Sequence, residues 1–184
     1  MANFTASGAP LGFTNPPAPP FTPQSLQAAD ELYPYDPSRS LTDAAALRAQ
    51  GFTSEESAAI LTLVKTRTRA EANFGERARR LLLTEEGFEQ STRSPVARYH
   101  AQRFLKAQVG SVADLGCGIG ADSLEFARAS LATVSVELDP LTASFAAANL
   151  ADFSGSRVVV GDVTNFDPES FRDGTGEAVQ GIWL

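Results

Sequence analysis

The stretch VADLGCGIGADSLEFA, residues 112–127, places three glycines within five positions, at Gly116, Gly118 and Gly120. An apolar run precedes these glycines and a helix-like run follows them. Glycine has no Cβ, so it permits positive φ and lets a ligand lie against the main chain, while a following helix presents free N–H groups and a positive dipole end. The stretch therefore predicts a strand, a tight loop and a helix that together bind an electron-rich ligand.

Short β-branched runs alternate with helix-like runs after residue 109. The predicted strands are VGSVADL, ATVSVEL, RVVVGD and a final GIWL, and the helix-like runs are GADSLEFARAS and DPLTASFAAANLADF. This alternation predicts an α/β fold, in which a parallel sheet has helices on its faces and ligands bind beyond the carboxyl ends of the strands. The glycines lie at that edge, after the first strand.

Two classes of ligand bind to a glycine loop of this kind. Gly116, Gly118 and Ala121 satisfy GxGxxA, a loose form of the dinucleotide pattern. Asp114, at the end of the first predicted strand, extends the run to DxGxGxG. A carboxylate at this position can bind the ammonium of an amino acid, a group that NAD lacks. Asp114 therefore favours S-adenosylmethionine over NAD.

Acidic residues also end the second and third predicted strands. Glu137 lies 21 residues after Gly116, where an acid can accept hydrogen bonds from both ribose hydroxyls in either class of ligand. Asp162 is placed for an adenine amino group, with the main-chain amide of Val163 as a donor to a ring nitrogen. Acids at successive strand ends would repel a pyrophosphate. The set therefore suits S-adenosylmethionine better than a dinucleotide.

Three motifs resemble those of a known family. VADLGCGIG, VSVELDP and RVVVGDVTNFD resemble the first three motifs of class I S-adenosylmethionine-dependent methyltransferases, in order and at the usual separations. The resemblance implies a Rossmann-like sheet, S-adenosylmethionine as cofactor, and a site in which Asp114 and the three glycines line the methionine end, Glu137 holds the ribose and Asp162 faces the adenine. The predicted cofactor-binding residues are Asp114, Gly116, Gly118, Gly120, Glu137, Leu138, Asp162 and Val163.

Residues 41–184 also resemble a narrower group of bacterial methyltransferases that have a helical N-terminal region and a THUMP-like C-terminal segment. A class I sheet has seven strands, whereas this sequence ends at GIWL, the predicted fourth strand. In the resembling group, an Asp-Pro motif that faces the target atom follows this strand. We therefore expect an inactive fragment that lacks the catalytic motif, and we assign no catalytic residue. The alternatives are an NAD(P)-dependent oxidoreductase and a non-catalytic remnant that binds a cofactor.

Composition and pattern divide the sequence into three predicted segments. Residues 1–40 are Pro-rich and largely irregular, and the part at 8–23, with six of the eleven prolines, is expected to carry no chemistry. Residues 41–107 are predicted to be a helical N-terminal region. Residues 108–184 are the predicted partial S-adenosylmethionine-binding domain, truncated after about the fourth strand.

Single residues within these segments carry their own predictions. Thr53 and Glu56 form a capping-box pattern at the start of a helix. His100, the one histidine, is expected on a solvated helix face. Cys117, the one cysteine, is expected to be a small loop residue and not a nucleophile. The sequence has no His/Cys cluster, so no metal site is predicted.

The net charge of −7 conceals a segregation of charge along the chain. Residues 65–106 carry a net +5, whereas residues 1–64 carry −4 and residues 107–184 carry −8. Clustered cations can attract a phosphate-bearing substrate even when the total charge is negative. Together with the family resemblance, the basic segment predicts RNA as the substrate.

The sequence contains no pattern typical of a membrane-spanning helix or of a signal peptide. No run reaches the roughly 20 apolar residues that a membrane-spanning helix needs. The first residues, MANFTASGAP, lack the basic start and the apolar stretch of a signal peptide. We therefore expect a cytoplasmic protein.

Overall fold

A computed structural model describes residues 12–173 and 175–184, which divide into two units. Pro20–Glu89 form a helical unit. The second unit consists of Gln90–Leu184 and the described residues of Met1–Pro19, and it contains all the strands found in the described residues. The part of the predicted Pro-rich segment that precedes Gly12 lies outside the described residues.

The helical unit confirms the predicted helical N-terminal region. Its helices are α1 (Pro23–Glu31), α2 (Ser40–Ala49), α3 (Ser54–Phe74) and α4 (Glu85–Gln90, ending at the unit boundary), with 3-10 helices at Pro37–Arg39 and Gly75–Arg80. Helix α1 lies within the Pro-rich segment 1–40, at the stretch QSLQAADEL (24–32) that the sequence indicates as a short helix. It forms because Thr22 caps it, accepting a hydrogen bond of 3.1 Å from the Ser25 N–H, and because Ala28 and Ala29 become buried.

Helix α3 begins at the predicted capping box. The Glu56 N–H donates to Thr53 Oγ1 at 3.1 Å, and the Thr53 N–H donates to Glu56 Oε2 at 2.8 Å. Ile60, Leu63 and Val64 are buried on the helix face that follows. The prediction at Thr53 and Glu56 is therefore confirmed, and both bonds satisfy N–H groups that a helix start leaves without partners.

The second unit is an α/β structure around one parallel sheet. Its elements are α5 (Ser94–Lys106), β1 (Ser111–Leu115), α6 (Ala121–Arg128), β2 (Ala132–Glu137), α7 (Pro140–Asn149), β3 (Ser156–Val160), a 3-10 helix (Val163–Asn165) and β4 (Gly181–Trp183). The strand order is β3-β2-β1-β4, and every pairing is parallel. The register pairs Leu115 with Val136 and Glu137 with Val160, so the carboxyl ends lie at one edge. The predicted α/β fold class is confirmed.

Both faces of the sheet are covered by apolar side chains. Alternate residues of a strand point to opposite faces. One face packs in a cluster of Phe13, Ala113, Val134, Val136, Val159 and Phe171. The other face packs in a cluster of Ala101, Val112, Phe126 and Leu131, against which Phe104 and Trp183 lie. Burial on both sides is typical of parallel sheets and explains why their strands are apolar almost throughout.

Helix α5 belongs to the unit that holds the sheet, although the sequence alone grouped it with the helices before it. Ala97 and Ala101 are buried, and the Phe104 ring meets the Phe126 ring of α6 edge-on with centroids 5.5 Å apart. Phe104 also fills the space beside Gly181 of β4. The apolar side of α5 therefore packs against the sheet and α6.

Replacing Thr53 tests the capping box. We expect Thr53→Ala to lower the free energy of unfolding of the helical unit by about 1 kcal/mol, because the Glu56 N–H loses its acceptor. Urea denaturation followed by far-UV circular dichroism measures this change. Thr53→Ser keeps the hydroxyl and is expected to lose only a few tenths of that amount. Equal losses in the two variants would contradict the assignment.

Candidate functional site

The predicted site residues lie at the carboxyl edge of the sheet. Asp114 is in β1 beside the loop of Gly116–Gly120, Glu137 is the last residue of β2, and Asp162 follows β3. Parallel pairing places the ends of the three strands next to one another. In sheets of this type, this edge is where ligands bind.

The glycine loop has the backbone conformation that its sequence predicts. The backbone φ angles of Gly116, Gly118 and Gly120 are +86°, +56° and +85°, values that residues with a Cβ rarely adopt. The N–H groups of Gly116 and Cys117 donate to the Val136 carbonyl of β2 at 2.8 and 2.9 Å. A Cβ at Gly116 or Gly118 would meet no atom within 4 Å. The loop is thus held on its inner side and open on its outer side.

Glu137 connects the glycine loop to the chain that follows β2. Its Oε2 accepts from the Gly118 N–H at 2.9 Å, and its Oε1 accepts from the Asp139 N–H at 3.0 Å. Each carboxylate oxygen has two lone-pair positions, so each can accept a second donor. The half-buried Glu137 carboxylate can therefore hold the loop and still bind a hydroxyl group of a ligand.

Asp114 is buried, with a relative exposure of 3%. Its Oδ2 accepts a hydrogen bond from Ser123 of α6, and Ser123 Oγ lies 2.7 Å from Ser135 Oγ of β2. Burial raises the pKa of Asp114 to about 7; the Ser123 hydrogen bond opposes this shift, and the charges of Asp122 and Glu137 add to it. The Asp114 side chain therefore ties β1 to α6, and its predicted contact with a ligand ammonium stays a prediction.

Asp162, Val163 and Leu138 border the same edge. Asp162 Oδ1 accepts from the N–H and the hydroxyl of Thr164 at 2.8 and 2.7 Å, and these bonds lower the pKa of the Asp162 carboxyl. Asp162 is exposed and Val163 is half-buried as the first residue of the 3-10 helix. Leu138 is 67% exposed beside Glu137. An exposed, ionised carboxylate and an apolar side chain here can contact a nucleoside.

A pair of residues that the sequence did not connect lies between α5 and α6. His100 Nδ1 is 2.7 Å from Asp122 Oδ1, and the imidazole lies against the Trp183 ring at an interplanar angle of 34°, with ring centroids 4.1 Å apart. The His100 side chain is only 14% exposed, so the expected position on a solvated helix face is wrong. The physical reason is that α5 packs on α6 and β4, which covers the helix face carrying His100. No spacing in the sequence signals a pair 22 residues apart.

Cys117 has the properties of a structural residue. The thiol is buried, and burial raises its pKa well above its ordinary value, with the charges of Asp114 and Glu137 adding to the shift. A thiol with a raised pKa is a poor nucleophile at neutral pH.

In the part of the chain that the structure describes, no group of three His, Cys, Asp or Glu side chains could hold a metal ion. No described helix combines the length and apolar character of a membrane span.

The raised pKa of Asp114 predicts a dependence of stability on pH. A carboxyl whose pKa is higher in the folded state stabilises the fold below its unfolded pKa, and this contribution is lost as pH rises through the folded pKa. We expect Asp114→Asn to weaken the fall in unfolding free energy between about pH 4 and pH 7, the interval between the ordinary and the raised pKa of this carboxyl. Urea denaturation followed by Trp183 fluorescence measures it, with Asp162→Asn as the control. An unchanged pH dependence in Asp114→Asn would contradict the burial argument.

No known family model and no curated protein matches this sequence. Among solved structures, the chain is similar to a predicted methyltransferase from Porphyromonas gingivalis W83, with 21% identity and a TM-score of 0.58 over 77% of this chain and 36% of that one. It also aligns with coclaurine N-methyltransferase bound to N-methylheliamine and SAH, with 18% identity over 78% of this chain and 49% of that one. The TM-score of this second alignment is 0.36.

This chain shares its fold with part of the Porphyromonas gingivalis protein. The matched region includes most of this chain but spans only about a third of the other protein, 36% of its length. At 21% identity the two chains share an architecture. The chain therefore has the α/β architecture of this methyltransferase structure, with a four-stranded parallel sheet, flanking helices and a helical N-terminal region.

Proposed function

We propose that the α/β unit binds S-adenosylmethionine and that the protein is a methyltransferase. The observation that carries this proposal is the open glycine loop at the carboxyl edge. Its N–H groups are bonded to the Val136 carbonyl and to the Glu137 carboxylate at the end of β2. The space outside Gly116 and Gly118, which a side chain would fill, fits the close approach of a ligand to the main chain. The shared fold with a methyltransferase structure supports the same function.

The residues around the loop divide the proposed site into three parts. Asp114, Gly116, Gly118 and Gly120 would line the methionine end. Glu137 would accept the ribose hydroxyls, beside Leu138. Asp162 would accept from the adenine amino group, and the Val163 amide would donate to a ring nitrogen. The assignment of these roles rests on position at the strand ends and on the chemistry of each group.

The charge of the site favours this cofactor over a dinucleotide. Asp114, Glu137 and Asp162 are all acidic. None of the eight predicted cofactor-binding residues is an arginine or a lysine. A pyrophosphate would be repelled there, whereas an ammonium and a sulfonium would be attracted. The alternative of an NAD(P)-dependent oxidoreductase is therefore not favoured.

The proposed chemistry needs positioning more than it needs reactive protein groups. S-adenosylmethionine supplies an activated methyl group on a sulfonium, which a nucleophile displaces in line. The glycine loop and Glu137 would fix the cofactor, which reduces the entropy lost when cofactor and acceptor reach a reactive geometry. No residue of this chain is assigned as a base for the acceptor.

We propose RNA as the acceptor class, on the basis of the arginines in the helical unit. Lys65 and Arg69 form ion pairs with glutamates of α4, which reduces the positive field of that helix face. Arg77, Arg79 and Arg80 lie along the 3-10 helix Gly75–Arg80 and line a cleft of about 480 Å³, and the Arg79 guanidinium donates to the Asp30 carbonyl at 3.0 Å.

The same cleft offers an aromatic surface as well as charge. Tyr33, Glu71 and Glu76 complete its lining. The Arg79 guanidinium lies over the Tyr33 ring, 5.6 Å from its centroid. Arginine beside an aromatic ring suits a phosphate and an unstacked base. The narrower resemblance to methyltransferases with a THUMP-like segment accords with RNA but stays a prediction.

Calorimetric titration with S-adenosylhomocysteine and, separately, with NADH tests the cofactor proposal. We expect saturable binding of S-adenosylhomocysteine alone, and we expect Glu137→Ala to weaken it by about tenfold or more, because both a ribose acceptor and the bond to Gly118 are lost. Glu169→Ala, at an exposed acid of the same unit, is the matched control. Binding of NADH in place of S-adenosylhomocysteine would overturn the proposal.

Binding of a bulk RNA mixture at several salt concentrations tests the acceptor proposal. We expect the double variant Arg79→Ala/Arg80→Ala to bind more weakly and to reduce the slope of log affinity against log salt by about 1 to 2, because phosphate contacts are lost. Arg48→Ala, at an exposed arginine of α2, is the control. If the wild-type chain binds S-adenosylhomocysteine but no RNA, the acceptor proposal fails and the cofactor proposal stands.

A further inference from the structure

The first described residues of the chain are bonded to the last residue of β3. The Thr14 N–H donates to the Val160 carbonyl at 2.9 Å, and the Val160 N–H donates to the Thr14 carbonyl at 2.8 Å. The two residues form an isolated antiparallel bridge on the outer side of β3, which is an edge strand. The Pro-rich segment, for which the sequence suggests no role, therefore contacts the chain next to the proposed adenine-binding residues.

The side chain before this bridge is part of the core. Phe13 is 1% exposed and packs in the cluster that includes Val136 and Val159. Its ring meets the Phe171 ring edge-on, with centroids 4.7 Å apart, and Phe166 lies against Phe171 with centroids 4.4 Å apart. Phe13 is thus a large, ordered aromatic group at the end of β3.

Gly161 shows how closely the Phe13 ring approaches the chain. A Cβ on Gly161 would collide with the ring carbons of Phe13. The Gly161 N–H donates to the Glu137 carbonyl at 2.9 Å, so Gly161 is held between β2 and the ring. Asp162 and Val163 follow directly. The path of the chain into these two residues is therefore determined by Phe13 on one side and β2 on the other.

We propose that Phe13 and Thr14 are positioning residues that give the site its selectivity for adenine, an inference that rests on the proposed cofactor function. Both bonds from Thr164 go to Asp162 Oδ1, so Oδ2 can accept from an exocyclic amino group. Selectivity for that group requires a carboxylate held in one place, because a mobile acceptor adapts to other ligands and loses entropy on binding. Phe13 and the bridge at Thr14 supply this constraint.

Two ligands that differ at the base test the proposal. S-inosylhomocysteine has a carbonyl oxygen where S-adenosylhomocysteine has the amino group. Calorimetry on the full chain gives the ratio of their affinities. We expect the wild type to prefer S-adenosylhomocysteine and Phe13→Leu to reduce that preference by about fivefold or more, because the acceptor at Asp162 loses its fixed position.

A second phenylalanine provides the matched control. Phe104 is a half-buried ring on the opposite face of the sheet, so Phe104→Leu removes aromatic packing away from Asp162. We expect it to leave the affinity ratio unchanged. A folded Phe13→Leu protein with the wild-type ratio would overturn the proposal, and so would an equal loss of preference in Phe104→Leu.

A variant at Thr14 keeps the test decisive if Phe13→Leu does not fold. Thr14 is exposed, and Thr14→Pro removes the N–H that donates to Val160 and fixes the backbone φ at this position, so it breaks the bridge. We expect a reduced affinity ratio in Thr14→Pro and the wild-type ratio in Thr14→Val, which keeps the N–H. An unchanged ratio in Thr14→Pro would refute the role of the bridge. If the wild type binds neither ligand, it is the proposed cofactor function that fails.

Discussion

The hydrogen bonds that join the glycine loop to the end of β2 are the interaction on which the site depends. The Val136 carbonyl accepts from the N–H groups of Gly116 and Cys117, and the Glu137 carboxylate accepts from the Gly118 N–H. These bonds hold the loop on its inner side, while the outer side is open, because a Cβ at Gly116 or Gly118 would meet no atom within 4 Å. A loop fixed in this way offers its main chain to a ligand without first losing conformational freedom.

The acidic groups at the same edge repel one another when ionised, and each has a different local environment. Asp114 is buried and has a raised pKa, Glu137 accepts two main-chain N–H groups, and Asp162 accepts two bonds from Thr164, which lower its pKa. A ligand that brings positive charge and hydroxyl or amino donors relieves the repulsion among them, whereas a pyrophosphate increases it. The electrostatics of the edge therefore favour the proposed cofactor, which carries a sulfonium and an ammonium, over a dinucleotide.

The edge strand β3 links this electrostatic arrangement to the start of the chain. An edge strand presents main-chain groups without partners, and such edges are commonly covered. Here Thr14 covers the end of β3, and Phe13 fills the space that the absence of a side chain at Gly161 creates. The contacts of Phe13 and Thr14 that cover the end of β3 thus also constrain Asp162. The same contacts therefore stabilise the sheet edge and support the proposed selectivity for adenine.

The sequence by itself determined the features that depend on neighbours along the chain. The capping box at Thr53, the positive φ of Gly116 and the alternation of strands and helices are local, because they follow from backbone sterics and from bonds that span a few residues. Only the tertiary structure decided the contacts between distant residues. The pair of His100 with Asp122 and the contact of Phe13 with Gly161 have no periodicity that could predict them, because they arise when separately formed elements bury their apolar faces together.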